Sequence, residues 1–345
     1  MRRLIPLVSA AAVLIAALHL ACNRTPPYYV YVAGEEMGMN GTSVATIWRN
    51  GSVYLRLSDD DFMAGAQSIF VYDGDVYVAG YTENEDGVSV ATLWKNGAGI
   101  PLGDEIHDSF ARSVFVWENR TYVAGFEQNA DEISVARLWI DDEVYSLSNG
   151  LYPAYANSVF VSDGDVYVAG AEENAKRVEC ARLWINRMPF SLCDETEGSA
   201  ATSVSVSDGV VYVAGLEKGS YGEGIATIWV NSDAIHLSGQ GSDARADHVY
   251  VTDTDVYISG LEVYFSDTSE VYAAQLWING DPQMLSRGKA HTYPYSVFVI
   301  DSDVYVAGRE GNGAVLWKNG KARRLSSKNS VGSANSVYVV PSDRR

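Results

Sequence analysis

Glutamate stands two residues after a recurrent glycine at Glu36, Glu127, Glu172, Glu217, Glu262 and Glu310, with Thr82 in the seventh place. On a rotationally repeating fold these would form a ring of rim carboxylates able to concentrate a cation or a basic ligand. The same positions face segments that carry Arg137 and Arg182. Pairing inside each hairpin would therefore explain the pattern without a ligand. Glycoside hydrolysis needs two carboxyl groups ~5–9 Å apart. Many carboxylates are available, and nothing in their spacing selects two.

Aromatic residues supply a second set: Phe62, Phe110, Tyr152, Tyr155, Tyr221, Tyr264, Phe265, Tyr293 and Tyr295 fall in expected loops or connections. Aromatic platforms with polar neighbours suit sugars and peptides, although they also serve to plug loops onto a surface. One irregular stretch gathers Tyr264, Phe265, Tyr293, Tyr295, His248, His291, Arg309 and Glu310, and an asymmetric ligand pocket is expected there. No G-x-S-x-G, H-E-x-x-H, P-loop or C-x-x-C motif occurs. The Asp-Gly-Asp turns lack calcium-loop spacing. The cysteines lack a second ligand pair for zinc. No catalytic residue, metal or cofactor is expected.

These residues sit on a repeat. A Y-x-(A/S)-G phrase ends at Gly34, Gly80, Gly125, Gly170, Gly215, Gly260 and Gly308, and each is followed by Trp48, Trp94, Trp139, Trp184, Trp229, Trp277 or Trp317. A leucine follows each tryptophan, from Leu57 to Leu325. A fourth phrase starts at Ser68, Ser113, Ser158, Ser203, His248, Ser296 and Ser336. All four phrases are short, rich in Val, Tyr, Ile and Phe, and bounded by Asp-Gly or Asn-Gly turns. Four antiparallel strands per ~45 residues predict an all-β, seven-bladed β-propeller.

The chain starts on a second strand, Tyr28–Gly34, and ends on an orphan first strand, Ser336–Val340. Pairing them would close the ring and remove two open edges. Two-residue turns place Pro101 opposite Thr92, Pro189 opposite Trp184 and Pro282 opposite Trp277, at non-hydrogen-bonded sites that tolerate proline. The same count sets Cys180 opposite Cys193, within disulfide reach, and a disulfide is expected. The strand 2–3 loop is three residues longer in blade 6 and five shorter in blade 7 than in the other blades. A tall hairpin should therefore stand beside a low one.

Residues 1–22 carry Arg2 and Arg3, then an apolar run ending at Ala21-Cys22, like a lipoprotein signal with Cys22 as the lipidated end. Residues 23–27 would form a linker, 28–340 the propeller and 341–345 a tail. The net charge of −19 argues against nucleic acid and anionic membrane surfaces. The unit Tyr77–Gly80, Ala91–Gly97 and Ser158–Val161 resembles that of secreted bacterial β-propellers with Y-V-A-G … A-x-L-W-K-N-G … S-V-F-V repeats. That resemblance implies fold without activity. The expectation is an exported, monomeric, non-enzymatic recognition module in the cell envelope, periplasmic or surface-exposed. It would meet the membrane only through its lipid, and its loop face would bind a glycan, a peptide or an envelope protein. The alternatives are a polysaccharide-acting enzyme using rim carboxylates and a purely structural envelope protein.

Overall fold

The computed structural model describes residues 27–342 except 240, 267–268 and 287–289; the side chains of Phe265, Ser266 and Ser269 are likewise not described. The expected targeting segment with Cys22, most of the expected linker and the last three residues of the tail lie outside the described residues.

Seven four-stranded antiparallel sheets are present. Blade 2 shows the pattern: Ala64–Tyr72 innermost, then Asp75–Glu83, Ser89–Lys95 and Ala98–Pro101. Its turns, Asp73-Gly74 and Asn96-Gly97, have positive φ at both central residues, the geometry that matches strand twist in a two-residue hairpin. Asn96 also braces the blade, accepting from the Val76 N–H at 2.9 Å and donating to Asp75 Oδ1 at 2.8 Å.

Gly332–Pro341 pairs with Tyr28–Met37, with Tyr31 opposite Tyr338, so blade 1 combines both ends of the chain. The proline register is as the turn chemistry requires: Thr92 faces Pro101, Trp184 faces Pro189 and Trp277 faces Pro282. In blade 6 the middle hairpin extends to Ser266 opposite Ser269, whereas in blade 7 it stops at Glu310 opposite Gly313. The tall and low rims are both present.

The core lies between blades rather than within them. Trp94 packs on Tyr31, Ala33, Ala45 and Ile47 of the preceding blade, and Trp48 packs across the seam on Tyr305, Ala307, Ala314 and Leu316. Burying one indole in this way is worth on the order of 4 kcal/mol. Breaking the seam therefore forfeits an interface comparable to every other.

One expectation fails. Cys180 and Cys193 are free thiols. The fourth strand of blade 4 ends at Ser191, one further ladder bond runs from the Leu192 N–H to the Ala181 carbonyl at 3.0 Å, and the two thiols lie side by side as the register requires. The Cys193 sulfur accepts from the Glu195 N–H at 3.4 Å. Burial, reinforced by the Cys193 sulfur, pushes the Cys180 thiol up to about 12. Burial opposes ionisation of Cys193 too, but hydrogen bonds from Ser199 and Cys180 bring it below its ordinary value.

Candidate functional site at the axial mouth

Each innermost strand contains a β-bulge immediately before the repeated serine or His248. The extra residues are Gln67, Arg112, Asn157, Thr202, Asp247, Tyr295 and Asn335. A bulge breaks the in–out alternation of a strand and re-aims one side chain. Here six of the seven line a bowl of about 650 Å³ on the propeller axis. The bowl opens on the strand 2–3 loop face.

The repeated glycine is the counterpart of this bulge. A Cβ on Gly170 would lie 1.9 Å from the Tyr155 carbonyl oxygen and 3.0 Å from the Trp184 ring; Gly80 and Gly308 show the same clash with Gly65 and Tyr293. The bulge swings a carbonyl over the neighbouring strand, and only glycine leaves room for it.

Three bulge residues spend their side chains on the next blade. Asn157 Nδ2 donates to the Ala201 carbonyl at 2.8 Å, Thr202 Oγ1 to that of Ala246 at 2.8 Å, and Asn335 Nδ2 to that of Ala66 at 3.0 Å. Gln67, Asp247 and Tyr295 make no such bond, and Arg112 reaches only the Asn157 side chain of the next blade; these are four unlike groups.

Along one side of the mouth the aromatic rings of Tyr81, Phe110, Phe126 and Tyr155 run in sequence, with centroids 4.9, 5.1 and 5.0 Å apart. The Arg112 guanidinium lies 4.8 Å from the Phe126 centroid and 5.2 Å from that of Tyr155, and it also hydrogen-bonds Asn157. The remainder of the wall is charged. Asp247 pairs with Arg245 at 2.6 Å, leaving its other oxygen buried without a hydrogen-bond partner. Glu35 accepts from Asn335 Nδ2 at 2.7 Å. Burial pushes Glu35 up to about 7 against the opposing pull of Asn335 and Arg309, and pushes Asp247 up to about 6 against Arg245. Burial also raises Tyr81 and Tyr295. Two carboxyl groups thus titrate near neutrality within one bowl.

Below the bowl the repeated serines join the blades. The innermost strand of each blade has a free edge. On it the N–H after the serine donates to the preceding blade's serine Oγ, as Val114 does to Ser68 at 3.2 Å and Val159 to Ser113 at 3.1 Å. The ring continues through the seam, from Ile69 to Ser336 at 3.2 Å. At one place His248 Nδ1 replaces a serine and accepts from the Val297 N–H at 3.5 Å, so the imidazole must be neutral. Burial holds it so, at about 4. Beneath the serines, Phe160, Phe115, Phe70, Tyr338, Phe298 and Tyr250 form a rosette with neighbouring centroids 4.7–4.9 Å apart. Ser205 stands where a seventh ring would close it. This part of the channel encloses about 320 Å³.

The sequence-expected pocket is brought together only in part. His291 meets Tyr272 edge-on at 5.1 Å, Tyr272, Tyr293 and Tyr295 stack with centroids 5.7 and 6.3 Å apart, and Arg309 lies 4.8 Å over Tyr293. Tyr295 and Arg309 face the bowl. His248 belongs to the channel wall instead of a loop. Tyr264 is committed to blade 6, bonding Glu262 at 2.8 Å and Gln275 at 2.5 Å. Glu310 closes the short hairpin of blade 7, and the Phe265 side chain lies outside the described residues. Phe110 and Tyr155 are strand residues of the mouth, whereas Tyr221 is exposed on a hairpin.

Five of the six rim glutamates have local partners, as pairing within each hairpin predicts, and Glu310 has none among the described residues. Glu127 meets Arg137 at 3.0 Å, Glu172 meets Arg182 at 3.2 Å and Glu217 meets His236 at 2.7 Å. Glu36 accepts from Ser327, and Thr82 bonds Thr92 at 3.1 Å. The residues missed from sequence are Glu35, Gln67, Tyr81, Arg112, Phe126, Asn157, Asp247 and Asn335. For Gln67, Arg112, Asn157, Asp247 and Asn335 the signal is the A-x-(S/H) phrase, where x is polar and changes from blade to blade while its neighbours hardly change; Glu35, Tyr81 and Phe126 directly follow the repeated glycine.

No family model matches the chain, and no curated protein matches it in sequence. Solved structures share its fold. The β-propeller domain of the Trilobed protease from Pyrococcus furiosus, described as having an open velcro topology, aligns over 89% of this chain and 94% of that one, with TM-score 0.53 and 13% identity. A Mycobacterium tuberculosis puromycin-hydrolyzing peptidase aligns over 88% and 52%, with TM-score 0.55 and 11% identity. An acylaminoacyl peptidase from Pyrococcus horikoshii aligns over 88% and 51%, with TM-score 0.50 and 14% identity. The chain spans about half the length of the last two. At such identities the likeness concerns the propeller fold alone.

Proposed function

We propose that the chain is an exported recognition module whose axial mouth binds the end of a glycan. The observation that carries this reading is the bulge ring. One backbone device turns Gln67, Arg112, Asp247 and Tyr295 into a single bowl, beside a row of aromatic rings. Ring faces suit the C–H surface of a pyranose, and convergent polar groups fix its hydroxyls. A glycan array probed with the purified chain tests this. A specific hit that is lost with Tyr81→Ala and retained with Tyr221→Ala supports the reading; retention in both sinks it. Export through Cys22 is part of the proposal, and mass spectrometry of the mature N-terminus would show the diacylglycerol or its absence.

A second reading, polysaccharide cleavage, is favoured by one observation: Glu35 and Asp247 are both raised towards neutrality by burial, as a general acid requires. Release of reducing ends from a bound polysaccharide, abolished by Glu35→Gln with binding intact, would establish the enzyme. Binding without release would leave the recognition module.

A further inference from the structure

We propose that the sugar entering the mouth is a uronate, bound by its carboxylate between Arg309 and Glu35. This inference rests on the glycan reading above and names the class of glycan.

The charge balance of the bowl runs against that of the chain. With a net charge of −19, the surface at large repels anions. In the mouth, Asp247 is already neutralised by Arg245 at 2.6 Å. Two guanidinium groups facing the bowl, Arg112 and Arg309, form no ion pair within 4.0 Å among the described residues. Arg112 is held by ring faces and by an amide. Arg309 is held over Tyr293 at 4.8 Å, and its buried Nε has no acceptor. A buried donor left without a partner is costly, and a ligand acceptor would remove that cost.

Glu35 completes the clamp. It reaches the same bowl as Arg309, and burial keeps a large part of it protonated at neutral pH. A protonated carboxyl donates one hydrogen bond. A ligand carboxylate can thus take N–H donors from Arg309 and the O–H of Glu35 without meeting a full opposing charge. A neutral pyranose could accept from Arg309 only through hydroxyl oxygens, without the charge-assisted, two-point bond that a carboxylate offers a guanidinium. The ring row across the bowl then receives the apolar face of the same sugar. The channel below, lined by the serine ring and the aromatic rosette, encloses about 320 Å³ against about 650 Å³ in the bowl, so the sugar is held at the mouth.

The test is calorimetric titration of the purified chain with uronate oligosaccharides and with the same oligosaccharides after reduction of their carboxyl groups to alcohols. The expected result is binding of at least one uronate, with its reduced counterpart weaker by about tenfold or more. Arg309→Gln should lower uronate affinity to that of the reduced sugar, while Arg309→Lys recovers part of it and circular dichroism shows both variants folded. Equal affinity for acidic and reduced sugars overturns the uronate inference and leaves the glycan reading intact. Binding of carboxylate-terminated peptides with no sugar bound overturns both.

Discussion

Two rings, one residue apart in sequence, share the axis of this propeller. The serine ring is nearly uniform, and each member makes the same bond to the next blade. The bulge ring holds Gln67, Arg112, Asn157, Thr202, Asp247, Tyr295 and Asn335 in one backbone geometry. Uniform chemistry in a uniform geometry is what joining identical blades demands. Diverse polar chemistry in that same geometry has no such explanation, because Asn at all seven places would staple the blades as Asn157 does. The lower ring holds the fold and the upper one departs from the repeat, which is where unlike groups can meet a ligand.

The sharpest way to break this comparison is to remove the geometry both rings share. Gly170→Ala sets a Cβ 1.9 Å from the Tyr155 carbonyl oxygen, against backbone that cannot rotate away. Overpacking of this kind should cost about 3 kcal/mol, seen as a lower urea midpoint at unchanged slope. An unchanged midpoint would mean that the bulge does not need its glycine.

Next come two titrations of opposite sign. The Glu35 carboxyl lies at about 7 in the fold, above its ordinary value of 4.5. The folded state therefore binds the extra proton, and stability falls as pH rises from about 4.5 to 7. Glu35→Gln should abolish that fall, making the variant more stable than the parent by about 3 kcal/mol at pH 8 and equal to it below pH 4.5. His248 lies at about 4, below its ordinary 6.5. Here the unfolded state binds the extra proton, and stability falls as pH drops from 6.5 to 4. His248→Ser, which restores the repeat, should flatten that slope by about 3 kcal/mol across the window. Chemical denaturation at four pH values measures both. Parallel profiles for parent and variant would refute the placement of that group.

How much of this was legible in the sequence follows from what the alternation rule can see. Blade number, closure of Gly332–Pro341 on Tyr28–Met37, the proline register and the unequal hairpins of blades 6 and 7 all follow from period-2 patterning and turn residues. Tyr295 and Arg309 were reached because they flank an irregular hairpin. Gln67, Arg112 and Asp247 were not, since regular alternation assigns the residue before the serine to a sheet face, and only the bulge turns it to the axis. The glycine that betrays the bulge is visible in every repeat, but it reads first as a strand end. The rim glutamates were legible for the converse reason: recurrence allowed a ring, but Arg137 and Arg182 across the same hairpins offered local partners, and with His236 they absorb the charge.

The smallest effects separate the two rings most cleanly. Ser113→Ala removes the acceptor of the Val159 N–H, bonded at 3.1 Å, and should lower stability by about 1 kcal/mol. The side chain lies below the bowl, so affinity for a glycan should not change. Gln67→Ala removes a bowl side chain that makes no hydrogen bond among the described residues. It should shift stability by less than about 0.5 kcal/mol and weaken glycan binding severalfold. Thermal unfolding and calorimetry on the two variants form one experiment with four readings. If Ser113→Ala weakened binding as much as Gln67→Ala, the rings would be one energetic unit, and the division of labour between adjacent residues would be lost.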